Sequence, residues 1–300
     1  MSNLMAVRYG LEILAYVPLF RAEIVQLAKR GLRTSISTAD TGSAVFAAAV
    51  HDLSTVGEKS DPVSRRDSRR LGGLSMKYMN FADDAIDDPT LGLSQAEKRE
   101  LIIRLVDGIW EPEQIGELFP PTKYFDMAIA MGQILHNEVC ERDTHGSYAS
   151  TMQEFADAEA AHGEDITPEG LLASVIQLGR PCGTIMSSSV GIVTGKSDNA
   201  TIKAAESLGI YGMLLDHAYE VNADLRDNSP TIVTAIIKRD GNSRKTRKEA
   251  RELCLDQASD MRRAGMEQLS PKQKKIYIAI ARLFDSRYKI VVRLRDSFVR

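Results

Sequence analysis

Two acidic runs carry the residues best suited to chemistry. The first reads Phe81-Ala82-Asp83-Asp84-Ala85-Ile86-Asp87-Asp88, and the second Asp216-His217-Ala218-Tyr219-Glu220-Val221-Asn222-Ala223-Asp224. Each sets carboxylates four residues apart: Asp83 with Asp87, then Asp216 with Glu220 and Asp224. On a helix such residues share one face, one turn apart. Like charges stacked that way repel, so the arrangement costs stability unless a cation offsets it. Two such faces directed at each other suit Mg²⁺, and through Mg²⁺ a phosphorylated substrate. The bland alternative for either run alone is a solvated acidic stripe or helix end.

Other side chains acquire meaning from their order around these runs. Met76, Met79 and Asn80 precede Asp83 by one to two helical turns and would line an apolar cavity beneath a charged rim. For the two methionines, ordinary core packing is the simpler alternative. Ahead of Asp216, Gly209, Tyr211 and Gly212 fall within Ser207-Leu208-Gly209-Ile210-Tyr211-Gly212-Met213. Each glycine costs a helix about 1 kcal/mol relative to alanine. Their presence fits either room for a substrate or a close helix crossing. Arg180, placed near the start of a helix, and Arg287, beside Tyr288 on the last helix, offer forked donors to phosphate oxygens.

These residues need helices to position them, and helix signals recur throughout. Ser94-Gln95-Ala96-Glu97 is a capping box. Thr167-Pro168 and Ser270-Pro271 put proline at a first helical position after a hydroxyl cap, and Ser229-Pro230 repeats the pattern. Gly31, Gly195 and Gly241 sit where helices should stop. The pattern predicts helices near 4–30, 39–55, 66–88, 94–108, 121–142, 147–162, 168–178, 181–194, 198–227, 230–239, 244–268 and 271–298. With short connections and no internal repeat, this is an all-α bundle of roughly a dozen helices, read as one domain over residues 1–300.

Composition narrows the function. The chain has 300 residues, 43% hydrophobic and 26% charged, with a formal net charge of −3. It has no recognisable nucleic-acid module, and its net charge is acidic. Cys140, Cys182 and Cys254 lack metal-ligand spacing and cannot all pair, which fits a reduced, cytoplasmic setting. The apolar stretch from Leu11 to Phe20 contains Glu12 and Pro18 and is flanked by Arg8 and Arg21. It is too short and too charged to cross a bilayer. The basic segment from Lys238 to Lys248 reads as a solvated surface loop, with closure over a bound diphosphate as the alternative.

Taken together, the motifs resemble those of the class I isoprenoid synthase superfamily, which includes bacterial class I terpene cyclases and trans-prenyl diphosphate synthases. Asp83-Asp84-Ala85-Ile86-Asp87 matches that family's first aspartate-rich motif letter for letter. Asp216, Glu220 and Asp224 fall at the spacing of the cyclases' second metal triad, with Glu220 a departure in the middle position. Arg287-Tyr288 resembles the cyclases' C-terminal Arg-Tyr pair. Arg180 lies near the family's basic diphosphate-binding position, somewhat closer to the second motif. The arginine pair of chain-elongating synthases is missing after the first motif, where Pro89-Thr90-Leu91-Gly92 stands instead.

The resemblance implies a Mg²⁺-dependent terpene synthase that ionises a prenyl diphosphate with three Mg²⁺ ions. The metal ligands would be Asp83, Asp84, Asp87, Asp216, Glu220 and Asp224. The diphosphate contacts would come from Arg180, Arg287 and Tyr288. A homodimer is compatible with the family. Low aromatic content, 6% of the chain, favours the alternative of a prenyltransferase, elongating or directed to a non-isoprenoid acceptor. Phe81, Tyr78, Tyr211, Tyr219 and Trp110 are the candidates for carbocation stabilisation. A third reading is a non-catalytic helical partner that keeps the fold.

Overall fold

The computed structural model describes residues 38–58, 61–86, 89–111, 125–143, 146–162, 164–196, 198–227 and 229–298. The described chain is all-α, with no strand among these residues. Its helices are α1 (Thr38–Ser54), α2 (Pro62–Ile86), α3 (Gln95–Asp107), α4 (Phe125–Val139), α5 (Ser147–Ala161), α6 (Pro168–Thr194), α7 (Asn199–Tyr219), α8 (Val221–Asp227), α9 (Ile232–Asp240), α10 (Arg244–Ala264) and α11 (Pro271–Phe298). A 3-10 turn spans Pro89–Leu91. The helix predicted near 4–30 and its stop at Gly31 lie outside the described residues. Contacts divide the chain into two compact units, 38–160 with 185–198 and 161–184 with 199–298, and the division falls inside α6.

In the first unit, α1 buries an alanine-rich face against α2. Ala44, Ala47, Ala48 and Ala49 are fully buried. Gly72 makes the approach close, since a Cβ there would stand 2.4 Å from the Ala47 Cβ. At the edge of this contact Arg65 grips Asp52 with two of its nitrogens, Nε to Oδ1 at 2.7 Å and Nη2 to Oδ2 at 3.0 Å. Buried hydroxyls are chained together here: Tyr148 donates to Ser75 Oγ at 2.7 Å, and Ser75 donates to the Leu71 carbonyl at 2.7 Å. The Tyr78 hydroxyl donates to the Leu105 carbonyl, tying α2 to α3. The predicted capping box at Ser94 is formed, with Glu97 reaching back to the Ser94 amide at 2.8 Å.

The second unit is organised by a backbone-to-backbone crossing of α6 and α7. A Cβ on Gly183 would stand 2.0 Å from the Ala205 carbonyl oxygen, and one on Gly209 would stand 2.1 Å from that of Gly179. Only glycine allows helices so near each other. The crossing also accounts for a departure from expectation: 168–178 and 181–194 form one helix that runs through Pro181. Proline removes one helical hydrogen bond and usually breaks a helix. Here Gly179 and Gly183 bracket Pro181, and the packing of α7 against both glycines holds the segment helical.

A second departure is that 198–227 is two helices, interrupted at Glu220. Helical bonding still reaches across the break, from the Glu220 amide to the Asp216 carbonyl at 2.9 Å and from the Asp224 amide to the Glu220 carbonyl at 3.0 Å. The cap of α9 is Thr231, two residues after the expected Ser229, because Thr231 and Thr234 satisfy each other's amides reciprocally. Ser270 caps α11 as expected, with Gln273 Oε1 accepting from the Ser270 amide at 3.0 Å. Gly195 and Gly241 adopt positive φ, 69° and 88°, where their helices stop.

Candidate metal and diphosphate residues

Asp83 sits in the last turn of α2, in the first unit. Its helical neighbours Met79 and Ile86 are buried, as are Ala82 and Ala85. Asp83 is half-buried, and so are Met76 and Asn80 on the preceding turns. These three therefore follow a stripe along the margin of the packed face. A purely solvated acidic helix end would leave Asp83 exposed. Met79, only 1% exposed, belongs to the core. Asp84 lies on α2 with its side chain outside the described residues, and Asp87 lies outside them entirely.

Asp216, Glu220 and Asp224 belong to the second unit. Asp216 is exposed, whereas Glu220 and Asp224 are half-buried. The hydrogen bonds across the α7–α8 junction keep the three on successive turns. Between them His217 turns the other way and is buried. Its Nδ1 accepts the Ile232 amide at 3.2 Å, so it closes the first turn of α9. Burial, with His162 nearby, pushes its pKa down to about 4, which keeps the ring neutral and its Nδ1 an acceptor. His217 is thus a structural cap and has no lone pair left at Nδ1 for a proton-transfer role.

The remaining sequence-predicted residues separate. Arg180 is exposed and stands in the middle of α6, because α6 runs through Pro181. The crossing puts it level with Gly209, and Asp216 lies about 10 Å further along α7 by helical rise. Gly209 serves the helix crossing. Gly212 faces α11, where its Cβ would meet Phe284 at 3.4 Å. The Tyr211 ring stacks on Phe284 with centroids 6.4 Å apart, and its hydroxyl donates to Asp285 Oδ1 at 2.7 Å. Arg287 and Tyr288 belong to α11, with side chains outside the described residues.

Two arginines of α10 face the α7–α8 junction. Arg251 of α10 stacks over the Tyr219 ring, its guanidinium carbon 4.4 Å from the centroid. Arg247, one turn earlier, donates to Asn222 Oδ1 at 3.3 Å. The basic segment is accordingly not a loop: Lys238 and Arg239 end α9, and Arg244 to Lys248 open α10 behind the Ser243 cap. The four-residue spacing of Arg247 and Arg251 was the available signal, but nothing local to it names the partner.

Among the described residues, no three His, Cys, Asp or Glu side chains are gathered to hold a metal ion. Mg²⁺ needs no such cage, since it keeps waters and uses one or two carboxylates together with substrate phosphates. The oxygen-only set of Asp83, Asp216, Glu220 and Asp224 fits that ion in donor type. No helix among the described residues is long and apolar enough to cross a membrane. No protein-family model and no curated protein matches the chain.

Proposed function

We propose that this protein is a Mg²⁺-dependent class I terpene synthase acting on an allylic prenyl diphosphate. The observation that carries the reading is the second acidic run, which keeps Asp216, Glu220 and Asp224 on successive helical turns of an all-α chain. Glu220 and Asp224 are half-buried while Asp216 is exposed, and Asp83 of the first run is half-buried at the end of α2. Bound Mg²⁺ would neutralise the charge developing on the departing diphosphate. Its carboxylate ligands would be drawn from Asp83, Asp84, Asp87, Asp216, Glu220 and Asp224. Arg180, Arg287 and Tyr288 would donate hydrogen bonds to the diphosphate oxygens. Met76 and Asn80 would border the prenyl chain and help to exclude water.

One observation favours a prenyltransferase as the second reading. The aromatic candidates for cation stabilisation are committed elsewhere. Tyr78 is fully buried against Phe81, with centroids 6.3 Å apart. Tyr211 is tied to Phe284 and Asp285, Tyr219 lies beneath Arg251, and Trp110 packs on Tyr148 at 6.3 Å. An enzyme that hands its cation at once to an acceptor has less need of aromatic faces.

Incubation of the full chain with Mg²⁺ and prenyl diphosphates of increasing length separates the readings. Hydrocarbon or alcohol products formed without isopentenyl diphosphate are the expected result. A longer diphosphate formed only when isopentenyl diphosphate is present would replace the cyclase by an elongating transferase. No turnover of any substrate would leave the non-catalytic partner.

A further inference from the structure

The middle carboxylate of the second acidic run stands at a junction between helices. α7 ends at Tyr219 and α8 begins at Val221, so the direction of Glu220 depends on how the two helices meet. Residues on both sides of Glu220 are held from α10. The Arg251 guanidinium covers the Tyr219 ring at 4.4 Å, and Arg247 Nη1 donates to Asn222 Oδ1 at 3.3 Å. Arg247 and Arg251 are four residues apart on one helix, and therefore share a face. That helix packs along α7. Arg247 is itself steadied by Asn242, whose Oδ1 accepts from its Nε at 2.6 Å.

The charge pattern of α10 makes this arrangement informative. Its first turn holds no acidic residue, although Arg244 and Lys245 stand there and Arg247 and Lys248 follow. Cations at a helix N-terminus oppose the macrodipole. Lys245 and Lys248 are offset within α10, by Glu249 at 3.8 Å and Glu252 at 3.6 Å. Arg247 and Arg251 instead reach out of the helix to the junction.

We propose that Arg247 and Arg251 are positioning residues that clamp the α7–α8 junction, so that Glu220 and Asp224 are presented together to a Mg²⁺–diphosphate ligand. This rests on the reading of the second acidic run as a metal face. Without the clamp only a fraction of molecules would hold both carboxylates in the receiving arrangement, and apparent affinity falls by that fraction. Loss of one exposed cation–π contact corresponds to at most about a twofold to fivefold weaker affinity.

The test uses the full chain with Mn²⁺ and inorganic diphosphate, binding being followed by the electron paramagnetic resonance of free Mn²⁺. Amide hydrogen exchange at Asp224 is measured in parallel without ligand. Arg251→Gln and Tyr219→Leu should each weaken Mn²⁺–diphosphate binding about twofold to fivefold and speed exchange at Asp224, while their double mutant should be no worse than either. Tyr219→Phe keeps the ring and should restore both readouts to the wild-type values. Wild-type affinity and unchanged exchange in Arg251→Gln and Tyr219→Leu would overturn the clamp while leaving the metal face standing. Equal impairment by Tyr219→Phe would overturn it too, since the hydroxyl and not the ring would then be at work. If the wild-type chain binds no Mn²⁺–diphosphate, the metal face falls and the positioning role falls with it.

Discussion

Single residues in this protein show how burial decides a side chain's role. Asp216 and His217 are neighbours, yet one is exposed and the other is buried as a cap for α9. His51 makes the same point in the first unit: it is 3% exposed, and its Nδ1 pairs with Ser68 Oγ at 3.1 Å. Burial holds its pKa below the ordinary 6.5, against the opposing pull of the Asp52 carboxylate. The unfolded chain therefore binds a proton more readily than the folded one just below pH 6.5. His51 leaves stability intact above that pH and removes it as pH falls toward the folded-state pKa. Urea unfolding of wild type and His51→Gln between pH 8 and pH 5 is the check. The wild type should lose more stability on acidification than the variant, and parallel pH profiles would show that His51 titrates alike in both states.

At the scale of elements, small residues do what apolar bulk cannot. The α6–α7 crossing brings backbone onto backbone, so adding one methyl group there should be severe. Gly209→Ala would drive its Cβ to 2.1 Å from the Gly179 carbonyl oxygen. The expected loss is about 3 kcal/mol, the upper end for overpacking. Gly212→Ala, whose Cβ would meet Phe284 at an ordinary 3.4 Å, should instead be neutral or stabilise by about 1 kcal/mol. Urea midpoints of the two variants decide it, and equal effects would mean the crossing can open to admit a side chain. The same elements mark what the sequence could reveal. Ser94 and Ser270 announced their helices because capping is chemistry within four residues. Pro181 and Glu220 misled because their outcome depends on partners distant in sequence. Gly209 was ambiguous for the same reason, since a glycine leaves no trace of whether a ligand or a helix comes near.

For the molecule as a whole, the all-α class was legible from helical periodicity and caps, with no run of alternating β-branched residues to compete. The one-turn spacing of Asp216, Glu220 and Asp224 was legible too, because helical bonding continues across Glu220. What each carboxylate faces was not, and neither were the arginines at the α7–α8 junction. Release of inorganic diphosphate from an allylic prenyl diphosphate tests the proposal that both acidic runs serve one reaction. Wild type, Asp83→Ala and Glu220→Ala would be compared in Mg²⁺ and in EDTA. Release should require Mg²⁺ and fall on the order of a hundredfold or more in each variant. Both variants should stay folded by circular dichroism, so that any loss bears on the proposal. Release that persists in EDTA, or full activity in either folded variant, would contradict it.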